Sequence, residues 1–99
     1  MQAESFVIVN LHSPTERFVG RLIDIGAPGV TLRGLDIGAF EDWIGAIGDG
    51  EEHGVCPTTV FFPLHRIAKI MLDEDMGVVP SLASQFLAKI GTPVMDYLE

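Results

Sequence analysis

The spacing of apolar positions changes along the chain, and each change marks an element. Residues 6–12, FVIVNLH, concentrate β-branched and aromatic side chains and predict a strand. The SPTE that follows reads as a turn, because Pro14 presets one torsion and Ser13 can bond nearby backbone. RFVGRLIDI then alternates with period two, with Phe18, Gly20 and Leu22 on one face. A Gly inside such a run marks a bend or a bulge. After a second turn, GAPG, the segment VTLRGLDI puts Val30, Leu32 and Gly34 on one face. If GAPG closes a hairpin with Leu22 opposite Leu32, Arg21 falls opposite Arg33 on the outward face, an unfavourable pairing unless acids lie nearby.

The period then lengthens. Phe40, Trp43, Ile44 and Ile47 follow i, i+3, i+4, i+7 and predict an amphipathic helix over 38–47. Asp36 is its expected N-cap, and Glu41 and Asp42 sit where the helix dipole favours acids. Gly48 and Gly50 end it, and DGEEHGVCP is a loop. TTVFF is a fourth strand, stopped by Pro63, which has no N–H to give a ladder. LHR is long enough only for a turn or one 3₁₀ twist. IAKIMLDE is a fifth strand, with Ala68, Ile70 and Leu72 sharing a face. A second helix follows over 81–90: Ser81 caps it, Leu82, Phe86 and Ile90 recur at spacing four, Gly91 ends it and Pro93 prevents a restart. The tail VMDYLE either docks or frays.

The expected fold is therefore mainly β with two appended helices, in a single domain over 1–99. Ninety-nine residues suffice for one core, burying roughly 65% of the unfolded surface. Phe18, Leu22, Leu32, Phe61 and Ile70 are the expected centre of that core. A single cysteine, Cys56, forbids an internal disulfide and suits a reducing, cytoplasmic setting. The apolar run near the start lacks a basic n-region and is too short for a signal peptide, and no window approaches the ~18 apolar residues of a membrane span. Fourteen acids against six Lys and Arg give a net charge of −8, which opposes nonspecific contact with DNA, RNA or anionic lipid. Four of the six bases are Arg, and three of these lie between residues 17 and 33, so a small positive spot within the negative field is compatible with the totals.

Five short strands, a Gly-bent second strand and a one-turn link between the fourth and fifth resemble the Sm-like small β-barrel, a relative of SH3-like barrels. The resemblance covers about residues 6–74. FVGRLIDIGAPGVTL is similar to the first Sm motif at Gly20, Leu22, Asp24 and Leu32, and HRIAKI resembles the Hfq-type RNA chaperones at His65, Ile67 and Ile70. It implies a five-stranded barrel, with the fourth and fifth strands pairing between subunits, and contact residues at the pore. The departures concern the RNA site. Sm-type sites carry an aromatic and an Asn after strand two, where this chain has GAPG; the Arg-Gly of the second motif is Arg66-Ile67; and the Lys before the Hfq-type His is Leu64. There is no room for the N-terminal helix, and the helix between strands three and four is an addition. The chain is also similar to a bacterial family of comparable length that has GLDIGAFEDW-like and FFPLHRI-like segments, from which no function follows.

The candidate contact surface is Arg21, Arg33, His65 and Arg66. His65 and Arg66 either meet a ligand or satisfy local backbone groups, and the second is the commoner role of one His-Arg pair. HGVC spaces His53 and Cys56 like metal ligands, but zinc takes three or four, so no metal and no cofactor are expected. Asp73, Asp75 and Gly77 only echo a calcium loop, which needs a distant Glu. Phe40 and Trp43 as a base-stacking platform compete with core packing, which their helical stripe favours. No nucleophile motif or phosphate-cradling Gly loop is present. The reading is a noncatalytic interaction or assembly module, with a homo-oligomer as the expected partner. An RNA-binding Sm or Hfq-type protein is the alternative, disfavoured by charge and by the missing loop residues. A sensor using a barrel pocket is a third possibility, without specific residues.

Overall fold

The computed structural model describes residues 4–50 and 56–99. Its elements run β1 (Phe6–Leu11), β2 (Glu16–Ile25), β3 (Gly29–Asp36), α1 (Phe40–Gly48), β4 (Thr58–Pro63), β5 (Ile67–Leu72) and α2 (Leu82–Ile90). The strands form one antiparallel sheet in the order β4-β3-β2-β1-β5. The chain is thus mainly β, with two helices.

The inner face obeys the period-two pattern. Val7, Val9 and Leu11 of β1, Leu22 of β2, and Val30 and Leu32 of β3 are buried in one cluster, with Phe18, Val60, Phe62, Ile67 and Ile70 packed against it. Among the described residues no helix residue belongs to that cluster, so its burial comes from the curvature of the sheet. Phe18 and Phe62, from strands that are not neighbours, meet edge to face at 5.3 Å between ring centres. Gly20 pairs directly with Gly34 at the bend. A Cβ on Gly20 would strike the Arg33 carbonyl, and one on Gly34 the Val19 carbonyl, so the two strands approach as only glycine permits.

The sheet nevertheless does not close into the expected barrel. Among the described residues β4 pairs only with β3 and β5 only with β1, leaving both as open edges. The reason lies in their connection. Leu64–Arg66 form a single 3₁₀ turn, which redirects the chain without making a hairpin. That turn is pinned at both ends: Leu64 N–H donates to the Pro28 carbonyl (3.0 Å), and His12 N–H donates to the Arg66 carbonyl (2.9 Å). A clasp to the two hairpin turns thus holds the edges in place of a ladder.

One expected core residue and one expected face assignment fail. Phe61 is 52% exposed. It pairs with Thr31, two residues from outward-facing Arg33, so it shares the outward parity, and Val60 and Phe62 point inward instead. In β5, Ile70 and Leu72 share the face expected of them, opposite the inward Val9 and Val7, although Leu72 is half exposed at the edge; Ala68 leaves that face and Ile67 packs inward in its place. A register shift between Asn10 and Leu11, which pair with Lys69 and Ile67, leaves Ala68 over and breaks the alternation.

The outer face carries the helices. Phe6, Val19 and Leu35 of the sheet are buried with Phe40, Trp43 and Ile44 of α1, Phe86 of α2, and Val94 and Leu98 of the tail. Trp43 is 4% exposed, and its ring lies 5.2 Å from that of Phe86. The tail docks through a 3₁₀ turn, Val94–Tyr97. Asp36 caps a 3₁₀ lead-in at Ile37–Ala39 by accepting from Gly38 N–H, and α1 itself begins later than expected, at Phe40, without a side-chain cap. The second helix follows expectation, with Ser81 accepting from Ser84 N–H and Gly91 left-handed at φ 84°.

Candidate functional site

The register places Arg21 directly opposite Arg33, as the hairpin reading required. Their surroundings differ. Arg21 forms an ion pair with Glu4 (3.0 Å) and donates from Nε to the Leu98 carbonyl (2.9 Å), which ties the tail to β2. Among the described residues the Arg33 side chain makes one hydrogen bond, to Thr59 Oγ1 at 3.2 Å, and its buried Nε has no partner. Among the described residues no acid comes within ion-pair distance of Arg33.

Arg66 belongs to the other end of β2. Its guanidinium donates to the Pro14 carbonyl (2.9 Å) and to Glu16 Oε1 (3.0 Å), with a longer bond to the His12 carbonyl (3.4 Å). It therefore reinforces the clasp between the 3₁₀ turn and the β1–β2 turn. His65 is exposed on that same turn. Glu16 and Arg21 are five residues apart on β2, roughly 17 Å at strand rise, so the four candidates fall into two separate pairs.

The resemblance already implies a pairing edge at β4; what sequence reasoning missed is which side chains are exposed beside it. Ile25, Phe61 and Leu64 are 48%, 52% and 51% exposed. Phe61 and Leu64 lie against Gly29, which has φ 156° and no side chain to displace the Phe61 ring or the Phe62 carbonyl, and Ile25 pairs with the neighbouring Val30. No charged residue occurs from Thr58 to Leu64. The doublet Phe61-Phe62 hid the parity. Carrying the outward sense of Arg33 through Thr31 to Phe61 would have found it.

The other sequence signals resolve structurally. Phe40 and Trp43 are core residues. Asp73 accepts from the Leu82 and Ala83 N–H groups (2.9 Å each), and Asp75 Oδ1 accepts from Ser81 N–H (2.7 Å) and Ser84 Oγ (3.0 Å). The hydrogen bond from the Ser81 backbone, followed by that from Ser84, holds the Asp75 carboxyl below the usual carboxylate range. These two acids cap α2. Cys56 is exposed, and His53 lies outside the described residues. Among the described residues no three His, Cys, Asp or Glu side chains converge on one point, and no helix is long and apolar enough to cross a membrane. No protein-family model matches the chain, and no curated protein or solved structure matches it.

Proposed function

We propose that this protein is a noncatalytic interaction module that assembles with further copies of itself through the β4 edge. The observation that carries this reading is an open, uncharged strand flanked by exposed Ile25, Phe61 and Leu64. Unpaired strand edges that are apolar and lack Lys or Pro protection in their middle pair readily with another strand. Six residues of β4 offer an edge of roughly 20 Å, and the surrounding apolar side chains add area toward the ~800 Å² per partner of a stable interface. A finer reading is a small Sm-like or SH3-like barrel. Supporting it are the strand order, the inner cluster fed by all five strands, and the one-turn link before β5. A reducing, cytoplasmic setting fits the lone exposed Cys56.

Sedimentation of the wild type at about 10–100 μM, a range in which modest interfaces populate, is expected to give a mass above that of the 10.7 kDa chain. Phe61→Lys should shift the protein to monomer with its Trp43 emission unchanged. A wild type that stays monomeric overturns the proposal. So does salt-sensitive micromolar binding of a short RNA that Arg21→Ala with Arg33→Ala abolishes without changing the mass, which is the outcome required by the nucleic-acid alternative.

A further inference from the structure

The β5 edge differs in chemistry from β4. On the outer face of β1 and β5 lie two adjoining cavities of about 260 and 490 Å³, and both are lined by Arg17 and Met71. The first is mainly apolar, between β5 and the start of α2. Its walls include Ile8, Met71, Leu72, Met76 and Val79. Its volume lies just under the roughly 300–1,000 Å³ of drug-sized sites, so it suits a few side chains rather than a large ligand. The second is also walled largely by carbon, but more of the residues around it are polar or charged, among them Asn10, Thr15, Glu16, Arg17 and Lys69. Cross-strand pairing sets Arg17, Asn10 and Lys69 in one row across β2, β1 and β5, and His12 lines the same cavity.

The charges around this groove are unequally committed. Arg17 donates from Nε to Asn10 Oδ1 (3.0 Å), and among the described residues neither Arg17 nor Lys69 forms an ion pair. Of the nearby acids Glu16 is paired with a cation, Arg66. Asp73 and Asp75 accept hydrogen bonds at the start of α2 and keep their charge, and with Glu74 they make that end of the groove acidic. The other end keeps two fixed cations, although the whole chain carries a net charge of −8.

The far lip is apolar and held in place. Met76 and Val79 exchange both backbone hydrogen bonds at 2.9 Å around Gly77, and the aspartate caps fix the flanking chain to α2. This turn presents Met76, Val78 and Val79 at 66%, 99% and 56% exposure. Exposed apolar groups clustered at a rigid site mark contact surfaces.

We infer that the groove along β5 binds an extended acidic-apolar peptide segment of another protein. An acidic side chain of that segment meets Lys69, with Arg17 behind it in the same row, and the apolar side chains that follow lie against Met71, Met76 and Val79. The open edge of β5 supplies main-chain hydrogen bonds, and alternate side chains of the guest enter the groove. Six residues of β5 give about 20 Å of edge, enough for a guest of similar length. The charge pattern sets the direction of docking, since the acidic end avoids Glu74. This inference does not rest on self-assembly, which uses β4.

The test is fluorescence polarisation with a labelled hexapeptide of two Asp followed by Val, Ile, Val and Leu. The control peptide carries two Lys in place of the Asp pair. The Asp-bearing peptide should bind saturably and at least about tenfold more tightly than the control, a difference of ~1.4 kcal/mol. Arg17→Ala with Lys69→Ala should remove that preference, and Val79→Asp should weaken both peptides. Reversing the cations, Arg17→Glu with Lys69→Glu, should transfer the preference to the Lys-bearing peptide, a gain that misfolding cannot mimic. Binding should persist in Phe61→Lys, which separates this inference from the fate of the β4 proposal. Equal binding of the two peptides, no saturation by about 1 mM, or an unchanged preference in the reversed variant would overturn it. Displacement of the Asp-bearing peptide by an equimolar short RNA would overturn it in favour of a nucleic-acid groove.

Discussion

The two faces of the sheet reach burial by different routes. The inner cluster draws on strands alone, and its residues alternate along β1, β2 and β3 with period two. Nothing from the helices is needed to cover it. The outer cluster gathers Phe6, Leu35, Trp43, Phe86 and Leu98, which are scattered over nearly the whole chain. It exists only when the C-terminal segment docks. Aspartates outside α2 guide that docking, and Arg21 fastens its end. The contrast teaches that burial alone does not rank residues. Leu22 and Phe86 are both fully buried, but the first belongs to a self-sufficient curl and the second to a lid.

The largest effect that can break this contrast is expected at Phe86. Phe86→Ala should cost about 3–5 kcal/mol and Leu22→Ala about 2–5 kcal/mol. What distinguishes them is where the loss shows. Native-state hydrogen exchange should accelerate across α1 and α2 in Phe86→Ala before the strands are affected, and throughout the sheet in Leu22→Ala. Identical exchange profiles would merge the two clusters into one cooperative unit.

A smaller loss is expected where the inner curl is tightest. Gly34→Ala forces a methyl group against the Val19 carbonyl, and overpacking of this kind costs about 1–3 kcal/mol. Urea unfolding followed by Trp43 emission measures it. Gly45→Ala is the control, since its added Cβ meets nothing within 4 Å. If the two substitutions behave alike, the close approach of β2 and β3 is not a source of specificity.

The smallest effects concern the lid's anchor. Ser81→Ala removes the N-cap of α2 and should cost about 0.5–2 kcal/mol. Asp75 adds a pH dependence of defined sign. Its folded pKa lies below the unfolded value, so its contribution is complete above the unfolded value and disappears as pH falls through the folded one. Acid titration of wild type and Asp75→Asn should show the variant less stable near neutrality and the difference vanishing in strong acid. A difference that grows on acidification would contradict the capping role.

Much of the strand order was legible because Val7, Val9, Leu22 and Leu32 keep an uninterrupted period. Ser81 and Gly91 likewise announce both ends of α2. The helix stripe identified Trp43 correctly, although Asp36 caps the 3₁₀ lead-in and not α1. What was not legible depends on relations between distant residues. Ala68 leaves the face of Ile70 only because Leu11 pairs with Ile67, and a local window cannot see that shift. Phe61 sits in a doublet whose parity is fixed by β3. Arg17 and Lys69 are 52 positions apart and become neighbours through Asn10 alone. The pairing of Arg21 with Arg33 was readable since one short turn sets it. The separation of that pair from Arg66 was not.

The clasp at Leu64–Arg66 also bears on the order in which the molecule assembles. β1, β2 and β3 form a meander whose pairings close over short loops, whereas β1 meets β5 across more than sixty residues, as in Val7 with Leu72. Closing the longer span costs more chain entropy and is rewarded only once the clasp is in place. The meander is therefore the expected nucleus, and β5 the last strand to join. Leu32→Ala should then slow refolding, and Ile70→Val should act mainly by speeding unfolding. Stopped-flow chevrons with the two behaviours exchanged would place the nucleus at the clasp instead.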